Sequence, residues 1–389
     1  MKNKILYIFV AILIVRIFIG SFSYNNDMNN HFAWSQSMKT EGLNGFYERD
    51  FSPFAKANYP PGANFSYMIS DYTYDYLGID NQTSRALLLK MPAIIIESVA
   101  ISFVALLFGP LLGLLFFLNP AIIYNTLLWG QTEGLMASLI LFALYCLSKK
   151  RTYLASVLFI MALLVKQSAI IFAPIYLIYL FKNNKLDRSI YSLFLSIGIF
   201  LISFIPFYSV NFGKGAFEFL VNESAGQAHQ ALSSVNALNF WYLLGQNELS
   251  DALTFIVSYR SIGMIIVSLI TLAVLYRIIR KNVDYLEVLY SAAIINFAVC
   301  MFLTRIHERH LLPSLIFLIP IISLRKKLFP FYIAISLIHF YNVYLVWNES
   351  FRNGNYILFA ILSLILIGVF FYLLIDFFKA TNRKELPKD

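Results

Sequence analysis

Long apolar runs separated by short polar stretches extend along most of the chain. They reach or approach the roughly 20 residues that a helix needs to cross a bilayer. The first run, 5–22, lacks a small-residue cleavage pattern, so we expect a retained helix rather than a signal peptide. Further spans are predicted near 88–108, 110–128, 132–148, 152–166, 168–181, 190–208, 260–280, 285–303, 306–324, 328–347 and 355–378. The pattern predicts an all-α polytopic membrane protein with about 12 transmembrane helices, roughly 11 to 13.

Composition supports a membrane location. The chain has 389 residues, of which 59% are hydrophobic and only 13% are charged. A soluble fold of this length would bury a large core, but it would not need so many separate apolar runs. Both cysteines, Cys146 and Cys300, fall inside predicted spans, which argues against a disulfide framework or a metal cluster of cysteines.

Basic residues mark alternate connections between the spans. More than half of the 30 lysines and arginines lie near 2–4, 149–151, 182–188, 277–281, 325–327 and 379–388. Because short cytoplasmic loops collect basic residues, both termini are predicted to be cytoplasmic. The net charge of +9 then belongs to an inner face beside anionic lipid, so nucleic acid is not an expected partner.

The same topology places two long segments outside, at about 23–87 and about 209–259. Segments of this length are usually functional or disordered, and their aromatic and regularly spaced apolar residues argue against disorder. We therefore expect short amphipathic helices in both. Since no repeat or second soluble domain is visible, residues 1–389 are predicted to form a single membrane domain.

The first long segment contains two helix signals. In "NNDMNNHFAWSQSM" (25–38), an asparagine can cap a helix on which Asp27, His31 and Trp34 share one face. Asp27 can either favour the start of that helix or take part in chemistry, and spacing alone leaves both readings open. In "NYPPG" (58–62), two prolines suit the start of a second helix.

A third polar stretch, "TRIHERHLLPSL" (304–315), stands at the edge of a predicted span. It brings together two arginines, two histidines and a glutamate. Such groups can snorkel to the interface, but charges at membrane depth usually face a cavity or a partner. Near Phe240 and Trp241, the second long segment carries aromatics that suit either a mobile flap or an interface anchor.

Six motifs, taken together, carry a family resemblance. They are "NNDMNNHFAW", "NYPPG", "NPAIIYNTLLWGQTEG" (119–134), "LLVKQSAIIFAPIYLIY" (163–179), "SSVNALNFWYLLG" (233–245) and "TRIHERHLLPSL". In this order they resemble the GT-C superfamily of glycosyltransferases that use polyprenyl-phosphate sugars. The similarity is closest to dolichyl-phosphate-glucose glucosyltransferases and bacterial polyprenyl-phosphate-mannose mannosyltransferases, and it covers most of residues 20–315.

The resemblance implies roles for individual residues. Asp27 corresponds to the catalytic general base. The residues that correspond to the donor-phosphate site are Lys166, Arg305, His307 and Arg309. Candidates for the substrate cavity are His31, Trp34, Tyr59, Gln131, Glu133, Gln167, Trp241, Glu308 and His310. The sequence departs from its relatives at Asn58 and Glu133, where aspartate is common.

The implied reaction is an inverting transfer of a hexose from a polyprenyl-phosphate donor to a hydroxyl of a lipid-linked or cell-envelope acceptor. It would take place on the outer face of a membrane, here a bacterial cytoplasmic membrane. Such a transfer needs a base for the hydroxyl proton and cations for the leaving phosphate. Since the chain has no Gly-rich phosphate loop or DxD sequence, neither a cofactor nor an obligatory metal is expected.

Two alternative functions remain open. One is a transporter or flippase of a lipid-linked sugar, and the other is a lipid-linked oligosaccharide polymerase. The distinctive polar residues fall at the predicted outer ends of helices rather than at a midplane site, which favours transfer over transport.

Two charged residues lie inside predicted spans at similar depths. Arg16 is about 9 Å and Glu97 about 13.5 Å from the outer side, at a rise of about 1.5 Å per residue. Because each charge would be costly alone, the depths favour an ion pair. The alternative is that Arg16 snorkels outward while Glu97 is protonated or hydrogen-bonded elsewhere.

Overall fold

A computed structural model describes residues 2–78, 80–208, 211–224, 231–252, 256–281, 284–351 and 353–379. Throughout these ranges the regular structure is helical, with isolated bridges but no strands, so the predicted all-α class is confirmed. The helices are α1 Lys2–Gly20, α2 Met28–Glu41, α3 Pro61–Leu77, α4 Gln82–Phe108, α5 Pro110–Phe117, α6 Pro120–Ile122, α7 Glu133–Ser148, α8 Thr152–Val165, α9 Ala173–Asn183, α10 Leu186–Tyr208, α11 Phe212–Ser224, α12 Phe240–Leu243, α13 Tyr259–Arg280, α14 Tyr285–Phe302, α15 Leu312–Ile322, α16 Phe329–Trp347 and α17 Tyr356–Lys379.

Several of these helices are suited to a membrane. Within the described ranges, six are long and apolar enough to cross one: α4, α10, α13, α14, α16 with its preceding turn, and α17. A seventh span results if α5 and the segment Pro120–Leu128, which meet at a 44° bend, are counted together. These helices make the chain an integral membrane protein.

Some predicted spans are divided in the structure. The run 168–181 consists of a 3-10 turn, Gln167–Phe172, followed by α9, and the run 306–324 consists of the turn Glu308–Leu311 followed by α15. A 3-10 turn rises more steeply than an α-helix and rarely continues, so neither run is one long helix. The count of about 12 spans therefore stays a prediction.

The described chain divides into two compact units that interleave along the sequence. The first comprises the described residues of 1–143, 152–170 and 186–229, and the second those of 144–151, 171–185 and 230–389. In the first unit, Phe32, Trp34 and Tyr47 of the first long segment pack in one core with Phe207 of α10 and Phe219 of α11. In the second, α14 is almost entirely buried and contacts α13, α15 and α17.

The helices predicted in the first long segment are confirmed as α2 and α3. α3 begins at Pro61 with Pro60 as N-cap, where a missing N–H costs nothing, and it ends at Gly78 with φ +61°. Asn25 does not cap α2: its Oδ1 accepts a hydrogen bond from the backbone N–H of Asp27, 2.7 Å away, in the turn before the helix. In the second predicted segment, α11 and α12 are described, whereas 209–210, 225–230 and 253–255 lie outside the described residues.

The predicted ion pair between Arg16 and Glu97 is confirmed. Both side chains are fully buried in the first unit, where Arg16 Nη2 donates to Glu97 Oε2. Glu97 Oε1 accepts a second hydrogen bond from Thr126 Oγ1, 2.6 Å away. A Cβ built on Gly134, in the first turn of α7, would overlap the same Glu97 oxygen. The carboxylate is therefore enclosed by an arginine, a threonine and the backbone of α7.

We expect the Gly134→Ala variant to be less stable than the wild type by about 1–3 kcal/mol, the usual cost of overpacking. The added methyl group would have to displace a carboxylate that two hydrogen bonds hold in place. Thermal unfolding in detergent measures the effect. Gly198→Ala in α10 is the matched control, because a Cβ there meets nothing within 4 Å. Equal stability of the two variants would show that Glu97 moves aside freely.

Candidate active site

Asp27 stands at the start of α2 without capping it. It occupies the N-cap position, but its side chain makes no capping hydrogen bond, and the residue is exposed. Its Oδ2 accepts a hydrogen bond from Trp129 Nε1 at 2.8 Å. Among the described residues, nothing donates to Oδ1. The helix-start reading of Asp27 therefore lacks its expected contact, and one carboxylate oxygen is available to a ligand.

Aromatic rings line the α2–α3 region beside this start. The His31 ring stacks on Tyr67 of α3 with centroids 4.3 Å apart, and Tyr59 approaches both His31 (5.5 Å) and Trp34 (5.8 Å). Trp34 Nε1 donates to the carbonyl of Ala55 at 2.8 Å. The predicted shared face of His31 and Trp34 is thus present, and its rings are buried or half-buried.

A polar cluster adjoins the aromatic rings in the same unit. Lys166 Nζ pairs with Glu133 Oε1, and both side chains are buried. The same ammonium lies 5.4 Å from the Tyr59 ring centroid, within range of a cation–π contact. Tyr59 Oη donates to Gln131 Oε1 at 3.3 Å. Four residues that the sequence singled out, from three different motifs, therefore meet.

Gln167 and Asn58 extend this cluster. Gln167 Nε2 donates to the backbone carbonyl of Asn58 at 3.1 Å. The bond ties the motif "LLVKQSAIIFAPIYLIY" to the first residue of "NYPPG". The backbone carbonyl of Asn58 is thus held by the side-chain amide of the residue that directly follows Lys166.

Tyr67 is a member of the site that sequence reasoning missed. It lies outside the six motifs, but its side chain is buried and stacked on His31. Burial raises the pKa of the Tyr67 hydroxyl well above its ordinary value, and the nearby Tyr59 and Glu133 raise it further. Tyr67 therefore stays protonated, and its hydroxyl has no hydrogen-bond partner among the described residues.

In the second unit, Arg305 is held by an acid that the sequence did not single out. Arg305 Nε donates to Asp251 Oδ2 at 2.7 Å and Nη2 donates to Oδ1 at 3.3 Å, while Thr304 Oγ1 also reaches Oδ2 at 3.0 Å. The backbone of Arg305 has φ +64°, a costly conformation for a residue with a side chain. Asp251 lies in none of the six motifs, so only the structure shows that it pairs with Arg305.

The other residues of "TRIHERHLLPSL" form a compact turn. Arg309 Nη1 donates to the buried Glu308 Oε1 at 2.8 Å, and the backbone N–H of His307 donates to His310 Nδ1 at 3.3 Å. The two imidazole centroids are 5.4 Å apart, and both histidines are half-buried. Each arginine of this stretch is therefore matched to a carboxylate, and the two arginines, like the two histidines, are half-buried.

The second unit also contains Trp241 and a small cavity. Trp241 is only 1% exposed, and its Nε1 donates to the carbonyl of Phe302 at 2.8 Å. A flap that carries Trp241 would have to break this packing, and an interface anchor would need more exposure. The cavity is lined by Ala237, Leu238, Cys300, Met301, Ile306, His307, Glu308, Leu311, Ile338, His339, Asn342 and Leu366.

The fold and these clusters define an integral membrane protein in which ion pairs and hydrogen bonds hold many polar side chains in place. The family model of glycosyltransferase family 87 matches residues 84–304, which is more than half of the chain. The chain belongs to this family and is a membrane glycosyltransferase. No curated protein matches it. The matched range contains Glu133, Lys166 and Trp241, whereas Asp27 and the turn after Thr304 lie outside it.

Proposed function

We propose that this glycosyltransferase moves a hexose from a polyprenyl-phosphate donor to a hydroxyl of a lipid-linked or cell-envelope acceptor, with inversion at the sugar. Asp27 serves as the general base. The observation that carries the proposal is the Asp27 carboxylate itself, which is exposed, makes no capping bond and is held by one oxygen only. A base needs an accessible oxygen within reach of the proton that it removes, and Oδ1 meets that need.

The surroundings of Asp27 are suited to a sugar. Aromatic faces stack against the apolar faces of sugar rings, and amides and hydroxyls bind their hydroxyl groups. The first unit supplies Trp34, Tyr59 and His31 as rings and Gln131 and Gln167 as amides. The buried Tyr67 hydroxyl adds a donor, since its raised pKa keeps it protonated.

The leaving phosphate needs positive charge. In the first unit we assign Lys166 to it; in the second unit, Arg305, His307 and Arg309 are separate candidates, as the family resemblance implies. Arginine suits two parallel contacts to phosphate oxygens, and lysine supplies a point charge. Lys166, Arg305 and Arg309 each pair with a carboxylate, namely Glu133, Asp251 and Glu308. Those carboxylates hold the cations in place before the substrate binds, but they also neutralise part of the positive charge.

The setting of the reaction follows the charge pattern of the sequence. We propose about 12 spans in a single membrane domain, with both termini in the cytoplasm and the reacting groups on the outer face of a bacterial cytoplasmic membrane. The proposed donor and acceptor are both associated with the membrane. Membrane lipid is therefore a third partner of the protein. No obligatory metal is proposed, and we expect full turnover in excess chelator.

Transfer, transport and polymerisation give different products from the same mixture. The purified protein is incubated with a polyprenyl-phosphate hexose and a lipid-linked acceptor, without any ion gradient. A single new glycosidic bond per acceptor supports the proposal. Products extended by many sugars support the polymerase. In proteoliposomes, movement of the lipid-linked sugar across the bilayer without a new bond supports the flippase.

We expect Lys166→Gln to raise the KM for the polyprenyl-phosphate donor by about 10-fold or more, because one charge-assisted phosphate contact is lost. Donor titrations at fixed acceptor concentration measure the change. Lys56→Gln is the matched control, since Lys56 is an exposed lysine of the same unit and has no part in the proposed site. An unchanged donor KM in Lys166→Gln would assign this lysine to the Glu133 ion pair alone.

A further inference from the structure

Trp129 lies in a tightly packed connection that ends beside Asp27. It follows the π-helical segment Ile123–Leu128, a rare conformation that is frequent at functional sites. Gly130, the next residue, has φ +80°, and a Cβ at this position would overlap Met28 Cε in the first turn of α2. The indole is 5% exposed, yet its N–H reaches the exposed Asp27 carboxylate at 2.8 Å. The connection thus approaches the start of α2 as closely as a glycine permits.

A second set of bonds fixes the chain that leads to Asp27. Ser23 Oγ donates to the carbonyl of Leu128 at 2.9 Å and lies 3.3 Å from the carbonyl of Leu127. These contacts connect Ser23 to the π-helical segment. The buried Lys90 Nζ donates to the carbonyls of Gly20 (3.0 Å) and Ser23 (2.7 Å), and to Ser23 Oγ at 2.8 Å. The end of α1, the approach to Asp27 and the Trp129 connection are therefore one hydrogen-bonded assembly.

We propose that Trp129 is a positioning residue for the reaction, acting through Asp27. Its indole N–H holds Oδ2, so that Oδ1 is turned towards the position of the acceptor hydroxyl. A carboxylate on an exposed residue would otherwise rotate among several orientations, and only some of them accept the proton. Lys90 and Ser23 keep the backbone at the spacing that this bond requires. The inference rests on the proposed role of Asp27 as general base.

The contact has a chemical advantage for a general base. A tryptophan N–H is only a donor, so it can bind the carboxylate but cannot take its proton. The bond therefore orients Asp27 without competing for the acceptor's proton. An arginine or lysine in the same place would add a full positive charge and make the carboxylate a weaker base.

The test is a double-mutant cycle between Trp129→Phe and Asp27→Asn. Phenylalanine keeps an aromatic ring but removes the N–H. We expect Trp129→Phe to lower kcat by about 10-fold, the usual scale for one hydrogen bond to a charged group, with an unchanged acceptor KM. In the Asp27→Asn background, the same substitution should cost less than about 2-fold, because the group through which Trp129 acts is already lost.

Trp347→Phe is the matched control, because Trp347 ends α16 in the second unit and has no part in the proposed machinery. It should leave kcat unchanged. If Trp129→Phe does not fold, Ser23→Ala loosens the same assembly without touching the indole. It should also reduce kcat only when Asp27 is present.

Three results separate the possible failures. A wild-type kcat in Trp129→Phe, or in a Ser23→Ala protein used in its place, would overturn the positioning role. An equal loss with and without the Asp27 carboxylate would make Trp129 a purely structural residue. Near-normal turnover of Asp27→Asn alone would instead reject the proposed general base, and the inference would fail with it for a different and recognisable reason.

Discussion

The Asp27→Asn variant is expected to fold like the wild type and to lose about 100- to 10,000-fold in turnover, the usual contribution of a general base. The amide has the shape of the carboxylate and keeps an oxygen for the Trp129 N–H, so the start of α2 should be undisturbed. It cannot take a proton from the acceptor hydroxyl. Turnover with saturating donor and acceptor, together with thermal unfolding in detergent, measures both parts of the expectation.

Asp50→Asn provides the matched control for this variant. Asp50 is also an exposed aspartate of the first long segment, but its Oδ1 accepts a local hydrogen bond from the backbone N–H of Ser52 at 2.9 Å. An asparagine can make the same turn, so activity should remain near that of the wild type. Comparable turnover of Asp27→Asn and Asp50→Asn would reduce Asp27 to a surface charge at a helix start.

Local patterns in the sequence were sufficient to predict several parts of the structure. The proline pair marked the start of α3, and helical spacing placed His31 and Trp34 on one face. The depth of two charges within adjacent spans was sufficient to predict the Arg16–Glu97 pair. Each of these predictions depends only on the spacing of residues or on their position within a span, and both can be read from the sequence.

Contacts between distant segments could not be predicted in the same way. Asp27 and Trp129 are 102 residues apart, and Arg305 and Asp251 are 54 apart, so their meeting depends on the path of the whole chain. Tyr67 has neighbours that suit a membrane interface, yet the turn of α3 carries it inward against His31. The order of the motifs suggested the cluster around Lys166, but only the fold shows that Glu133 is its partner.

The Arg16→Leu variant is expected to lose about 3–5 kcal/mol of stability, the usual result of removing one partner from a buried ion pair. Glu97 would then be left fully buried, with Thr126 as its remaining hydrogen-bond donor among the described residues. Thermal or denaturant-induced unfolding of the protein in detergent measures this loss of stability. Lys214→Leu is the control: its pair with Glu218 is exposed, so it should change stability by less than about 1 kcal/mol.

Adding Glu97→Leu to Arg16→Leu should restore much of that stability, because the double variant buries no unpaired charge. The wild-type pair is itself only partly satisfied. Arg16 Nε and Nη1 have no hydrogen-bond partner among the described residues, so removing the whole pair also removes a desolvation cost. Recovery should nevertheless be incomplete, since Thr126 Oγ1 loses its acceptor. If the two substitutions destabilise the protein additively, Arg16 and Glu97 contribute separately, and the ion pair has no energetic role of its own.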